Sequence, residues 1–84
     1  MEIYTRDWCG YCVRAKALLN ELGVAFTEYE AGMDPALRQE MVTRSGGVTF
    51  PQILINDRPI GGSDDLHALH ASGKLEQMLA EEGA

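Results

Sequence analysis

The stretch "EIYTRDWCGYCVRAKALLNELGVAFTEYE", residues 2–30, decides the fold. "EIYT", residues 2–5, is β-branched and aromatic and reads as a short strand. From Cys12 the apolar period changes. Ala15, Leu18, Leu19 and Leu22 fall at i, i+3, i+4 and i+7, one face of a helix, and Gly23 follows as its stop. "VAFTEYE", residues 24–30, reads as a second strand. Strand, helix and strand in this order form a βαβ unit, expected to be parallel with a right-handed crossover. The chain's only two cysteines, Cys9 and Cys12, sit where the first strand hands over to the helix.

Working outward, Asp34-Pro35 opens a second helix, with Asp34 as cap and Pro35 in the first turn. That helix turns Leu37, Met41 and Val42 inward and stops at Ser45-Gly46-Gly47. "QILI", residues 52–55, is a third strand. Asn56-Asp57 is a tight hairpin turn into a fourth strand near Arg58–Gly61, where Pro59 suits an edge position. After Gly61-Gly62, Ser63 or a neighbour caps a helix carrying Leu66 and Leu69 and ending near Gly73. A final helical turn or two carries Leu75, Met78 and Leu79. The expected architecture is α/β: a four-stranded mixed sheet, β-α-β-α-β-β-α, flanked by helices, with residues 1–84 forming one domain.

The net charge of -6 argues against nucleic acid or an anionic membrane as partner. The charge is uneven. Residues 1–16 hold Arg6, Arg14 and Lys16 against Glu2 and Asp7, whereas residues 63–84 hold five acids against Lys74. The cysteine end is therefore the electropositive end of an acidic chain. No apolar run approaches the length that spans a bilayer, and no leader-like segment precedes the first strand, so a cytoplasmic protein is expected. Thiols in that compartment are kept reduced, which favours a transient or catalytic disulfide over a structural one.

Cys9 falls in the loop after the first strand and Cys12 in the first turn of the helix. First-turn amides lack intrahelical partners, and the helix dipole places about half a positive charge at that end. Both favour a thiolate, as does Arg6 if its side chain turns inward. Thiols so placed have pKa values of about 3.5–7.5 against about 8.5 for free cysteine. Cys12, inside the helix, is expected to be the more buried. Cys9 is then the nucleophile and Cys12 the resolving thiol. A C-x-x-C beside a βαβ pattern reads as a thioredoxin-like redox motif. Two other readings stand beside it. The pair could be buried and structural, or it could join His67 and His70 in a Cys2His2 zinc set, although the long separation of the pairs is unlike compact zinc modules.

"CGYC" at 9–12, "TFPQI" at 49–53 and "GGSDDL" at 61–66, in this order, resemble the glutaredoxins. The similarity is greatest to small dithiol bacterial members, which carry the runs "RSG-x-x-T-x-P-Q-I" and "IGG-x-DDL". The resemblance implies a thioredoxin-like fold and a glutathione-dependent thiol-disulfide oxidoreductase acting on glutathionylated or disulfide-containing proteins. It implies glutathione as co-substrate, no tightly bound cofactor, no metal and a monomer. By the same resemblance Cys9 forms the mixed disulfide with glutathione and Tyr11 lines the groove beside it. Arg6 and Arg38 stand where a basic or polar side chain meets the glycyl carboxylate. Thr49-Phe50-Pro51 matches a loop with a cis proline, whose Phe50 backbone pairs with the cysteinyl portion. Ser63, Asp64 and Asp65 match the site for the γ-glutamyl end. Gly61-Gly62 and the helix N-terminus suit that chemistry, because they allow close approach and offer N–H donors to a carboxylate.

Gly10 replaces the proline of many dithiol members, and Phe50 replaces a common valine. Some glutaredoxins lacking that proline bridge a [2Fe-2S] cluster between two protomers with glutathione, so a cluster carrier with Cys9 as ligand is the rival reading. Trp8 resembles the tryptophan of the thioredoxin W-C-G-x-C motif, but Tyr11 stands where thioredoxins have proline. A redoxin coupled to thioredoxin reductase is a third, weaker reading.

Overall fold

The computed structural model describes residues 1–83. The elements run β1 (Glu2–Thr5), α1 (Gly10–Glu21), β2 (Thr27–Glu30), α2 (Pro35–Ser45), β3 (Gln52–Ile55), β4 (Arg58–Gly61), α3 (Ser63–Ala71) and α4 (Lys74–Gly83). The strands lie in the order β2-β1-β3-β4. β1 pairs with β2 in parallel, and β3 pairs antiparallel with both β1 and β4. This is the mixed sheet expected from the element order, in the thioredoxin-like fold that the resemblance implies.

Period-two alternation sorts the sheet into two faces. Ile3, Ile53 and Ile55 pack with Ala15, Leu18 and Leu19 of α1, Leu66 of α3 and Leu75 of α4. Tyr4 and Leu54 point the other way, onto Met41 of α2 and Ala31. β3 is buried along its whole length, as a central strand covered by helices on both sides must be. Tyr4 is fully buried, and its hydroxyl needs partners. It donates to Glu40 (2.5 Å) and accepts from Arg44 (2.9 Å), whose guanidinium also grips Glu2 (2.6 Å) and Asp57 (2.7 Å).

The helix ends follow local chemistry. The Asp34 carboxylate accepts from the N–H groups of Ala36 and Leu37 at 3.0 and 3.1 Å, with Pro35 behind it, and Gly46 closes α2 at φ 76°. Asn56 and Asp57 take φ 52° and 63°, the paired left-handed values of a tight hairpin turn. Pro59 lies on the edge strand, where its missing N–H removes no interior ladder bond.

Two boundaries differ from the sequence reading, and a third is made definite. β2 begins at Thr27, not Val24, because β1 starts at Glu2 and offers no earlier partner. The Val24 N–H instead donates to the Leu19 carbonyl at 2.9 Å, and Val24 and Phe26 pack against the apolar layer. Of Ser63 and its neighbours, the cap of α3 is Gly62. The Asp65 carboxylate accepts from the Gly62 N–H at 3.0 Å, which puts Ser63 in the first turn. The last helical segment is a full ten-residue helix, set off from α3 by Gly73 at φ 80°.

Candidate active site

Cys9 is the N-cap of α1, with extended backbone (φ -111°, ψ 104°). Its Sγ accepts from the Cys12 N–H at 3.2 Å and lies 3.8 Å from the Phe50 carbonyl oxygen. A sulfur thus occupies the place where a serine or aspartate oxygen commonly caps a helix. Orphan amides and the positive end of the dipole favour negative charge on it. Both cysteines are free, Cys9 with 5% and Cys12 with 2% of its surface exposed. Burial, and next the hydrogen bond to the Cys9 sulfur, pushes the Cys12 thiol up to about 11. The two sulfurs are therefore unlike: one receives an amide proton donor, the other is a buried, protonated thiol.

The Phe50–Pro51 peptide bond is cis. Thr49, Phe50, Pro51, Tyr11, Ser63, Asp64 and Asp65 line one groove of about 310 Å³. Seven of the residues singled out in the sequence are thereby brought together. Cys9 and Cys12 line a neighbouring cleft with Arg6, Trp8, Val13 and Lys16. The Arg6 guanidinium donates to the Asp7 carbonyl at 3.3 Å. Arg38 lines neither cleft. Its guanidinium is held by the Gly32 carbonyl at the start of α2.

Gly61 sits at φ 104°, and a Cβ there would come within 2.2 Å of the Asp65 carboxylate. The tight fit keeps Asp65 on the cap and leaves the carboxylate of Asp64 exposed at the groove. Among the described residues the buried Ser63 hydroxyl has no hydrogen-bond partner.

The sequence reading missed Gln52. Its amide donates to the Thr49 carbonyl (3.0 Å) and hydroxyl (3.2 Å), and so fixes the loop that forms one groove wall. A Cβ on Gly47 would meet that amide at 2.4 Å. The signal was present in the Gln of "TFPQI" and the glycine five residues before it.

The histidines do not join the cysteines. His67 Nδ1 lies 2.8 Å from the Ser63 carbonyl, and His70 pairs with Glu76 at 2.6 Å. Among the described residues no three His, Cys, Asp or Glu side chains converge on a metal position. The Cys2His2 set is therefore not assembled, and a cluster bound at Cys9 would need ligands from outside the chain to complete it. Among the described residues no helix is long and apolar enough to cross a membrane.

The glutaredoxin family model matches residues 1–60. The chain is 52% identical over 79 residues to glutaredoxin 3 of Escherichia coli K12, spanning 94% of this chain and 95% of that protein. It superposes on the solution structure of glutaredoxin from Brucella melitensis with a TM-score of 0.80 and 54% identity, covering 93% of this chain and 85% of that one. It superposes on the buckwheat glutaredoxin–glutathione complex with a TM-score of 0.86 and 32% identity, covering 99% of this chain and 78% of that one.

Proposed function

Given that the chain belongs to the glutaredoxin family and is a thiol-disulfide oxidoreductase, we propose that glutathione is its co-substrate and Cys9 its nucleophile. The observation that carries this is the position of Cys9 Sγ. It caps α1 beside the Cys12 amide, 3.8 Å from the Phe50 carbonyl at the edge of the groove.

The Cys9 thiolate attacks the glutathione sulfur of a glutathionylated protein. A Cys9–glutathione disulfide forms and the protein sulfur leaves as a thiolate. A second glutathione thiolate attacks its partner's sulfur, releases glutathione disulfide and restores Cys9. With a protein disulfide as substrate, Cys9 first joins one protein sulfur. Cys12 then attacks Cys9, freeing the protein thiolate and closing the Cys9–Cys12 disulfide, which two glutathiones reduce.

The groove suits the tripeptide. The Phe50 backbone offers a strand-like edge to the cysteinyl portion. The N-terminus of α3 and the Asp64 carboxylate suit the α-carboxylate and ammonium of the γ-glutamyl end, with Ser63 and Asp65 holding that turn. Tyr11, Thr49 and Pro51 wall the groove. Arg6, which lines the cysteine cleft and forms no ion pair among the described residues, suits the glycyl carboxylate, and Arg38 would join it only by leaving the Gly32 carbonyl outside both clefts. The buckwheat relative, of the same fold, was solved as a complex with glutathione.

The test is glutathione-coupled turnover of a small glutathione mixed disulfide by the wild type, Cys9→Ser and Cys12→Ser. Turnover that survives in Cys12→Ser and disappears in Cys9→Ser is expected. Turnover that survives in Cys9→Ser would overturn the assignment.

A further inference from the structure

Trp8 is 99% exposed and takes φ 60°, the left-handed region that a bulky side chain enters only at a cost of about 1–2 kcal/mol. The indole recovers nothing for that cost inside the folded chain, because none of it is buried. It stands as a ridge between two clefts. One, of about 460 Å³, holds both cysteines with Arg6, Val13 and Lys16. The other, of about 270 Å³, holds Gly32, Glu30 and Met33, which is itself 90% exposed. The glutathione groove does not include Trp8. Exposed apolar groups clustered beside a reacting sulfur mark a contact surface.

We propose that the Trp8 ridge docks a client polypeptide in the Cys9–client mixed disulfide. It takes the apolar residue next to the client cysteine, while an acidic residue flanking that cysteine meets Arg6. The proposal rests on the thiol-exchange reading above and names its protein substrate class. Two observations select this occupant. The ridge is continuous with the cleft that contains the Cys9 sulfur, so a chain joined to that sulfur and leaving through this cleft crosses Trp8. The charge is complementary as well: in the sulfur cleft Lys16 is already paired with Glu28 at 3.0 Å, and Arg6, which forms no ion pair among the described residues, is the cation left for a client carboxylate. Arg6 serves the glycyl carboxylate when glutathione is bound and is free for a client carboxylate when it is not. In forming the complex, the Cys9 thiolate attacks a client disulfide sulfur, a Cys9–client disulfide forms, and the other client sulfur departs as a thiolate.

Trp8 is the only tryptophan, so indole emission reports the ridge directly. The Cys12→Ser protein would be joined through Cys9 to three thionitrobenzoate-activated probes. The first is a peptide with leucine and glutamate flanking its cysteine, the second the same peptide with serine at both positions, and the third glutathione. Faster thionitrobenzoate release by the leucine–glutamate peptide, by about tenfold over the serine peptide, is expected, together with a blue shift of Trp8 emission in its adduct alone. Trp8→Ala in the same background should bring that rate down to the serine peptide's and leave the glutathione probe within about twofold, and Trp8→Phe should restore most of the preference.

Equal rates for the two peptides, or an equal loss on all three probes in Trp8→Ala, would overturn the docking surface. So would a blue-shifted Trp8 in free protein that reverts on dilution, which would assign the ridge to a second copy of the chain. If the glutathione probe fails to react with Cys9 at all, it is the underlying exchange reading that falls.

Discussion

Cys12 gives its backbone amide to the Cys9 sulfur at 3.2 Å while its own thiol stays buried and protonated. One residue thus supports the nucleophile through its main chain and awaits its turn through its side chain. A serine at position 12 keeps the first contribution and deletes the second. Cys12→Ser should therefore reduce glutathionylated substrates at a rate within a few-fold of wild type, about 1 kcal/mol in barrier or less, and lose reduction of protein disulfides. Parallel assays of both substrates check the split. Equal loss of both activities would contradict it.

The Cys12 thiol, raised from its ordinary value to about 11, carries a pH signature. In a single-turnover experiment, attack of Cys12 on a Cys9–client disulfide should accelerate as pH rises above 7, because only the thiolate reacts and burial keeps that thiol protonated. A plateau below pH 9 would show Cys12 to be an ordinary thiol. Stability moves in the opposite sense. The folded state holds the Cys12 proton more tightly than the unfolded chain, so this contribution is complete below about pH 9 and is lost as pH rises toward 11. Urea titrations should show the reduced protein losing stability relative to Cys12→Ser across that interval.

Asp64 and Asp65 are adjacent but differently engaged. Asp65 accepts from the Gly62 amide, and Asp64 faces the groove. Asp65→Ala should cost about 1 kcal/mol of stability through the lost cap. Asp64→Ala should leave stability within about 0.5 kcal/mol and raise KM for glutathione by about tenfold, the loss of one charge-assisted contact. Denaturation curves and steady-state kinetics on both variants test the division. Gly61→Ala should resemble Asp65→Ala, since its Cβ would displace that carboxylate.

Arg44 ties β1, α2 and the hairpin turn together through Glu2, Tyr4 and Asp57. Its removal leaves the Tyr4 hydroxyl with Glu40 and the half-buried Glu2 carboxylate with Tyr29, and takes the neutralising charge from Glu2 and Glu40. Arg44→Ala should destabilise the protein by about 2 kcal/mol, measured by urea unfolding. The Arg44 hydrogen bond lowers the Glu2 carboxyl below its ordinary value, so that stabilisation is complete above the ordinary carboxylate range and disappears as pH falls through the lowered value. The gap between wild type and Arg44→Ala should narrow on acidification. A gap unchanged down to pH 2 would contradict the pairing.

Most of the fold was legible because its signals were local. The i, i+3, i+4, i+7 face of α1, the Asp34-Pro35 start and the Asn56-Asp57 turn each act within a few residues. The start of β2 was not, because "VAFTEYE" is strand-like throughout and its pairing is limited by where β1 begins. The α3 cap was legible only as Ser63 or a neighbour, for a related reason. Ser63 is the better capping residue by type, but the position of Asp65 three residues past Gly62 decides it. The cysteines, the 49–51 loop and the 63–65 turn were readable from their ordered motifs, and the structure gathers them around adjacent clefts. The Gln52 clamp and the exposure of Trp8 depend on tertiary placement, which neither periodicity nor spacing encodes.

The sheet order β2-β1-β3-β4 also bears on biosynthesis. Ile3 finds its antiparallel partner only in Ile53, so a nascent chain carries β1 with one open, apolar edge until most of the sequence has left the ribosome. Residues 1–45 already contain the complete βαβ unit with α2, yet stalled translation products of that length are expected to bind chaperones and resist folding. Extension past Ile55, which delivers the central strand, is expected to release them.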